Sequence, residues 1–273
     1  MNRIHPALLL YGGSALVVAV LVGILAWPEL RANRSGEALI LYCAPSQRAP
    51  VDLIVADYQR ETGRAVEVRY AGSQSILANA ELSGQGDLFL PADSSYIDEA
   101  RGRGMIAQTF PIATMTGVLV VPADNPKKIA NWNDLLSADV SIAQAEPDIA
   151  AIGKLTREQL IKTGRWELLK ARTKVFKGTV TDVANSVALR AVDAGIVWDV
   201  VAQPMPELQI IELPELADIQ AKIEIALLGK SKQPLEALRF ARYLTASDRG
   251  LSRYRECGFR HVVPGSAWES TSK

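Results

Sequence analysis

Cysteine and histidine are scarce in this chain. Two cysteines, Cys43 and Cys257, and two histidines, His5 and His261, are spread over 273 residues. Because structural zinc sites take several such ligands from short spacings, a His/Cys metal centre is excluded, and so is a disulfide framework. The sequence permits either one disulfide bond between Cys43 and Cys257 or two unpaired thiols packed as small hydrophobic side chains. The unpaired thiols are the favoured alternative.

The chain also lacks an excess of charge of either sign. Its 30 lysine and arginine residues balance 30 aspartate and glutamate residues. Because proteins that bind nucleic acid or anionic lipid surfaces usually show a basic excess, we expect no nucleic-acid partner. The sequence contains no nucleophile elbow, phosphate-binding loop or paired histidine–carboxylate motif, so we expect neither an enzyme nor a bound cofactor.

One long uncharged run lies near the N-terminus. Ala7–Trp27 contains no charged residue, and about 20 apolar residues match the hydrocarbon thickness of a bilayer. A secretory signal usually has a shorter apolar core that ends at small residues, whereas this run ends at Trp27-Pro28. We therefore predict one uncleaved transmembrane helix in preference to a cleaved signal. Arg3 favours a cytoplasmic N-terminus, which places the remaining chain outside the cytoplasmic membrane, although Arg31 and Arg34 weaken this orientation signal.

From residue 38 onward, short apolar runs alternate with patterns of helical period. Strands are predicted at 38–43, 66–70, 87–93, 117–126, 140–145, 173–177, 194–198 and 223–229. Helices are predicted at 50–63, from 73 onward, and at 131–137, 150–163, 183–191, 235–245 and 248–255. Since the first three strands are each followed by a helix, the fold class predicted is α/β with a parallel, doubly wound sheet.

No long linker separates the first group of elements from the second. We therefore expect two lobes between which the chain crosses on strands, more than once. The predicted divisions are a transmembrane anchor or signal segment at 1–36, lobe I at 37–115 plus 203–273, and lobe II at 116–202.

Serines follow two of the predicted strands. In open parallel sheets, ligands bind beyond the carboxyl ends of the strands, which is where Ser46 and Ser73 lie. Each serine also lies near a predicted helix start, where unpaired N–H groups and a partial positive charge bind oxyanions without a cationic side chain. A single serine of this kind often only caps its helix, and Ser73 stands at the expected N-cap position of the helix that follows it. Several of them after successive strands indicate a site of neutral donors for an oxyanion.

Four segments resemble the periplasmic molybdate-binding proteins of ABC transporters. They are YCAPSQ, YAGSQSILANAELSGQGDLFLPADSSYIDEA, EPDIAAIGKLTREQL and VTDVANSVALRAVDAGIVW. GDLFLPAD is similar to the family's ADLFISAD, and DAGIVW is similar to its DAGIVY. The resemblance extends from about Ala38 to Phe259 and implies the type II periplasmic binding fold, with two α/β lobes, crossover strands and a tetrahedral oxyanion between them.

The resemblance also implies individual ligand contacts. The family's first-loop serine falls on Ser46, and its second-loop serine falls on Ser73, with Ser75 as a near neighbour. Two backbone amides at later helix starts fall near Ile152 and on Val180.

This sequence departs from the family at three places. The family's tyrosine hydroxyl falls on Trp198, whose indole N–H would have to replace it from a different position. The family's usual PAG becomes Ala151-Ile152-Gly153, and Gln47 and Gln74 add amides beside the two serines. These departures concern the identity of the anion more than the fold.

The implied function is the extracytoplasmic component of an ABC importer that binds molybdate or tungstate and delivers it to a membrane permease. Molybdate is bound as an oxyanion, so no protein metal site is expected. The alternatives are a binding protein or sensor domain for another tetrahedral oxyanion such as sulfate, or an enzyme on the same fold.

Overall fold

Strands and helices alternate through residues 37–268, the part of the chain that a computed structural model describes. The strands are β1 (Leu39–Cys43), β2 (Val66–Tyr70), β3 (Leu88–Leu90), β4 (Ile106–Pro122), β5 (Ile142–Ala145), β6 (Thr173–Lys177), β7 (Ala194–Trp198), β8 (Leu208–Ile211), β9 (Gln220–Leu228) and β10 (His261–Val262). The helices are α1 (Arg48–Thr62), α2 (Ser73–Ser83), α3 (Ser95–Gly102), α4 (Trp132–Leu135), α5 (Ala151–Lys162), α6 (Trp166–Arg172), α7 (Val180–Ala188), α8 (Asp199–Ala202), α9 (Pro234–Leu244) and α10 (Gly250–Glu256). Short 3-10 helices lie at Pro45–Gln47 and Pro214–Leu216.

The predicted transmembrane helix falls outside the described residues, because Ala7–Trp27 precedes residue 37. Within residues 37–268, no helix has both the length and the apolar character needed to cross a bilayer. The anchor in residues 1–36 stays a prediction.

The described strands form one mixed sheet with β4 near its middle. Their order is β2-β1-β3-β9-β4-β7-β5-β6, and β8 and β10 also pair with β4. β1 pairs parallel with β2 and β3, and β5 pairs parallel with β6 and β7. The pairings of β4 and β9 are antiparallel. The parallel strands agree with the predicted α/β class, and β4 and β9 lie between the two parallel groups.

Strand β4 divides the sheet into two halves. Its first part, Ile106–Thr116, pairs with β9 and belongs with β1, β2, β3 and β10, which we call the first half. Its last part, Gly117–Pro122, pairs with β7 and β8 and belongs with β5 and β6, which we call the second half. The chain crosses on β4 and returns between β8 and β9. The exact lobe boundaries stay predictions, although β8 pairs in the second half and the predicted boundary assigns it to lobe I.

Strand β4 is longer than the strand predicted at 117–126. Its first part was not recognised as a strand because polar residues and Pro111 interrupt the apolar pattern. A register shift beside Pro111 lets the pairing with β9 continue in spite of the missing proline N–H. The strand ends at Pro122 because Asn125 adopts a φ of 41° and its N–H donates to the Pro122 carbonyl at 2.8 Å, which turns the chain.

Helix α1 begins and ends close to the predicted positions. It begins at Arg48, ahead of the expected start at Pro50, because the 3-10 turn Pro45–Gln47 runs directly into it. It ends before Gly63, as predicted, where a left-handed φ of 74° suits glycine. The turn Pro45–Gln47 is therefore held at the carboxyl end of β1.

Both cysteines are free thiols in the described structure, which confirms the favoured alternative. Cys43 is buried at the end of β1, and burial raises the pKa of its thiol well above the ordinary value. It therefore packs as a small neutral side chain beneath the turn that follows β1.

Candidate functional site

The five residues assigned from the sequence line one small cavity between the two halves of the sheet. Ser46 and Ser73 come from the first half, and Ile152, Val180 and Trp198 come from the second half. The other lining residues are Ala44, Pro45, Gly72, Ala92, Ala150, Ala151 and Thr179. The cavity is small, with a volume of about 10 Å³.

Ser46 lies in the 3-10 turn that follows β1. Pro45 opens this turn, and the Gln47 backbone N–H closes it by donating to the Ala44 carbonyl at 3.0 Å. The Ser46 side chain is 6% exposed, and its Oγ accepts a hydrogen bond from the Gln47 side-chain amide at 3.2 Å. The hydroxyl proton of Ser46 is thus not consumed by this contact.

Ser73 is the first residue of α2 and is buried. We expected it to act as the N-cap, and this was wrong, because Gly72 occupies the N-cap position and no side chain caps the helix. The Ser73 Oγ instead accepts a hydrogen bond from the Ala92 backbone N–H at 3.1 Å, just after β3. As at Ser46, an N–H group engages the oxygen and leaves the hydroxyl proton available.

Backbone donors approach the cavity from helices α5 and α7. Ile152 is the second residue of α5, and the N-cap residue Ala150 offers no side-chain acceptor to the first turn. Val180 is the first residue of α7, where the Thr179 hydroxyl accepts only the Asp182 N–H, at 3.1 Å. Amides of a first helical turn lack intrahelical acceptors, so both helix starts present N–H groups and the positive end of a dipole.

Within Ala151-Ile152-Gly153, the glycine that is unchanged from the family's PAG has a packing role. A Cβ added at Gly153 would lie 2.3 Å from the Ala145 carbonyl oxygen at the end of β5. Glycine therefore lets the first turn of α5 approach the end of β5 and reach the cavity.

Trp198 closes one side of the cavity. It is the last residue of β7 and pairs with Gly117 of β4. Among the fully buried side chains of the described residues, its indole is the largest. Its buried indole occupies space at the edge of the cavity.

The described cavity lining contains no charged side chain. The buried Asp93 nearby is occupied elsewhere, because its carboxylate accepts the backbone N–H groups of Ser95 and Lys222 at 2.9 and 3.2 Å. A site of neutral N–H and O–H donors can hold an anion and release it, because no full opposite charge is paired with it.

The two halves touch each other around the cavity. The Gln74 backbone N–H, from the first half, donates to the Ile149 carbonyl of the second half at 3.1 Å. Lys154 of α5 reaches α3, where its Nζ donates to the Ser95 Oγ at 3.1 Å and lies 4.6 Å from the centre of the Tyr96 ring. Burial and the nearby carboxylates raise the pKa of Tyr96, so the ring stays a neutral phenol. These contacts join the two halves beside the cavity.

Sequence reasoning missed the contributions of Gly72, Ala92 and Thr179 to the lining. Ala92 lies inside the strand predicted at 87–93, whereas β3 ends at Leu90, so the rule that located Ser46 and Ser73 did not indicate it. Gly72 and Thr179 directly precede helices α2 and α7, and their neighbours Ser73 and Val180 were named instead.

Comparison with known proteins relates the whole described fold to solute-binding proteins. The profile of the family described as bacterial extracellular solute-binding protein matches residues 39–260. The molybdate-binding protein ModA of Mycobacterium tuberculosis is 26% identical over 218 residues, which cover 79% of this chain and 82% of the relative. This similarity confirms the resemblance noted in the sequence.

Solved structures share the fold at lower identity. The periplasmic molybdate-binding protein of Azotobacter vinelandii has a TM-score of 0.67 at 17% identity, with 82% of this chain and 98% of that chain covered. The sulfate-binding protein SubI of Mycobacterium tuberculosis has a TM-score of 0.72, also at 17% identity, with 84% and 88% covered. The two-lobed periplasmic-binding-protein fold is thereby confirmed. With a family match that spans most of its length, the chain belongs to the bacterial extracellular solute-binding proteins.

Proposed function

We propose that this protein is the extracytoplasmic substrate-binding component of an ABC importer and that it binds molybdate or tungstate between its two lobes. The observation that carries the proposal is the convergence of uncharged donors from both halves of the sheet on one small cavity. The sequence similarity to molybdate-binding proteins supports the same ligand class. The relatives are binding proteins, which agrees with a carrier rather than an enzyme.

The chemistry of the donors favours a fully deprotonated anion. The hydroxyls of Ser46 and Ser73 and the backbone amides at Ile152 and Val180 are placed to donate hydrogen bonds. Phosphate near neutral pH retains a proton that needs an acceptor, and no carboxylate is among the described lining residues. Molybdate, tungstate and sulfate have no such proton and therefore suit this cavity better.

Sulfate is a second candidate ligand because the cavity is narrow and Trp198 fills part of the space. Sulfate is smaller than molybdate, and a sulfate-binding protein shares the fold. The relative affinities for sulfate and molybdate decide between these two ligands.

In this function, closure of the lobes is a hinge motion at the crossover strands, and the bound anion favours the closed form. The closed form is what a membrane permease recognises. An N-terminal anchor would keep the domain close to its permease. In the alternative function, a sensor domain, the same closure transmits a signal through the membrane. Loss of transport on deletion of residues 1–36 in a chain that is still exported would favour the sensor.

The direct test is calorimetric titration of the purified protein with molybdate, tungstate, sulfate and phosphate. We expect molybdate and tungstate to bind much more tightly than phosphate. Ser46→Ala and Ser73→Ala should each weaken binding by about 1–3 kcal/mol, about 5- to 150-fold, because each removes a hydrogen bond to a charged ligand. Ser75→Ala is the matched control, since Ser75 does not line the cavity.

Three results would overturn the proposal. One is the absence of binding by any of the four anions, and another is a preference for phosphate. Unchanged affinity in both serine variants would show that the cavity is not the binding site. Turnover of a phosphate or carboxylate ester by the purified protein would revive the enzyme alternative.

A further inference from the structure

Gln47 lies directly behind Ser46 and outside the cavity wall. Its side chain is completely buried, and it is not one of the lining residues. Its Nε2 donates to the Ser46 Oγ at 3.2 Å and to the Met115 Sδ at 3.6 Å. Within the described residues, its Oε1 has no hydrogen-bond partner. The amide is therefore held by its Nε2 group, between Ser46 and Met115.

Met115 fixes which end of the Gln47 amide faces Ser46. A thioether sulfur accepts a weak hydrogen bond and has no proton to donate. If the amide were turned over, its oxygen would face the sulfur of Met115 without any hydrogen between them. The contact with Met115 therefore favours the orientation in which Nε2 points toward both Met115 and Ser46.

The consequence for Ser46 concerns its single proton. A hydroxyl has one proton and two lone pairs, and the Gln47 amide occupies one lone pair. An amide donor offers no acceptor to that proton, which remains available on the cavity side. At Ser73 the Ala92 backbone N–H has the same effect, at 3.1 Å. Thus the Gln47 side chain donates to the Ser46 Oγ, just as the Ala92 backbone donates to the Ser73 Oγ.

We propose that Gln47 is a positioning residue that keeps the Ser46 hydroxyl a donor toward the ligand and so makes the cavity selective for anions that have no proton. This inference rests on the proposed function, because it requires that an oxyanion occupies the cavity. Gln47 does not touch the ligand and acts only through Ser46.

A double-mutant cycle with molybdate as the probe separates this role from packing. Gln47→Met keeps the length of the side chain and removes its donor. We expect it to weaken molybdate binding about 5- to 20-fold in the wild-type background and to have no further effect in a Ser46→Ala background, because coupled residues are non-additive. An equal loss in both backgrounds would show that Gln47 acts by packing and would overturn the proposal.

Gln47→Glu gives an independent test, since glutamate has the size of glutamine. A carboxylate accepts the Ser46 proton and turns the hydroxyl away from the ligand, and it also adds a negative charge behind the cavity. We expect a loss larger than that of Gln47→Met at pH 7.5. Affinity for molybdate equal to that of the wild type would overturn the proposal. Should the methionine variant not fold, Gln47→Glu is compared in the wild-type and Ser46→Ala backgrounds: the effect of the added charge remains in both, and an equal loss in both would overturn the proposal.

These experiments distinguish failure of the proposed function from failure of the role assigned to Gln47. If the wild-type protein binds none of the four anions, the proposed function fails. If the wild type binds molybdate and Ser46→Ala weakens binding while both Gln47 variants bind like wild type, only the role of Gln47 fails.

Discussion

The substitution Gly72→Ala tests whether the two halves of the sheet must come together to hold the ligand. Gly72 is the N-cap of α2, with φ of −54° and ψ of 150°, a conformation that alanine adopts without strain. A Cβ at this position would lie 2.7 Å from the Ile149 carbonyl oxygen and 3.0 Å from the Gly178 carbonyl oxygen. Both oxygens belong to the second half, so the added methyl group clashes only across the cleft.

The size of the effect follows from these distances. Ordinary contact begins at 3.4 Å, so the Ile149 oxygen must withdraw by about 0.7 Å (3.4 minus 2.7). Such a shift also stretches the hydrogen bond of 3.1 Å from the Gln74 N–H to the same oxygen. Overpacking costs about 1–3 kcal/mol, and the hydrogen bond contributes about 1 kcal/mol. The closed form should therefore lose about 2–4 kcal/mol, and anion binding should weaken about 30- to 900-fold.

The fold itself should not suffer. In an open form without ligand, the methyl group meets no neighbour across the cleft, and replacing glycine by alanine reduces the entropy of the unfolded chain. We expect the melting temperature of the unliganded Gly72→Ala protein to equal or slightly exceed that of the wild type. The assays are calorimetric titration with molybdate and thermal unfolding without it.

Gly102→Ala is the matched control, since no described atom lies within 4 Å of a Cβ at that position. A dissociation constant for Gly72→Ala within twofold of the wild type would refute the closure mechanism. A marked fall in the unliganded melting temperature would also refute it, because the halves would then be in permanent contact.

Two further substitutions probe the contact between the halves and the stability of the first half. Lys154→Met removes the cation from the Tyr96 ring, and we expect stopped-flow measurements to show molybdate dissociation about 2- to 10-fold faster with association unchanged. Asp57→Asn concerns a carboxylate that joins α1 to α10: burial raises its pKa, but hydrogen bonds from two arginines, Arg253 the stronger, outweigh this and hold the pKa below its ordinary value. Because the pKa is lower in the folded state, the ionised carboxylate stabilises the fold above about pH 4, and this stabilisation is lost as the pH falls further. Asp57→Asn should therefore reduce the free energy of unfolding in urea by about 1–2 kcal/mol at pH 7 and by much less at about pH 3.

Each of these substitutions has a control of the same type. Lys162→Met changes an exposed lysine at the end of α5 and should leave the dissociation rate unchanged. Asp98→Asn removes an exposed ion pair with Arg101 and should change stability by less than about 0.5 kcal/mol. Equal dissociation rates for Lys154→Met and wild type would contradict the first prediction. An Asp57→Asn effect that does not diminish between pH 7 and pH 3 would contradict the second.

Local patterns were enough to predict most of the parallel strands and their helices. The run at 194–198 coincides with β7 because a buried parallel strand is apolar along its whole length. The runs at 66–70 and 173–177 coincide with the partly exposed edge strands β2 and β6, which mix charged residues with apolar, aromatic and β-branched ones. The rule that ligands bind beyond strand ends, with the family resemblance, named five residues that line one cavity.

Non-local contacts account for what the sequence did not predict. The hydroxyl of Ser73 has its partner at Ala92, 19 residues further along the chain, so a local capping rule assigned it wrongly. The first part of β4 is a strand because β9 pairs with it, and β9 begins about a hundred residues later. The orientation of the Gln47 amide depends on Met115, which no pattern around position 47 reveals.

Because β4 is one continuous strand shared by both halves, the two halves cannot be separated into independent pieces. Its first part pairs with β9 and its last part with β7 and β8, so removing either half would leave a row of backbone donors and acceptors exposed to solvent on the remaining stretch. A fragment carrying one half alone would present an edge prone to aggregation. The cleft therefore divides the ligand-binding surface of the molecule without dividing it as a folding unit.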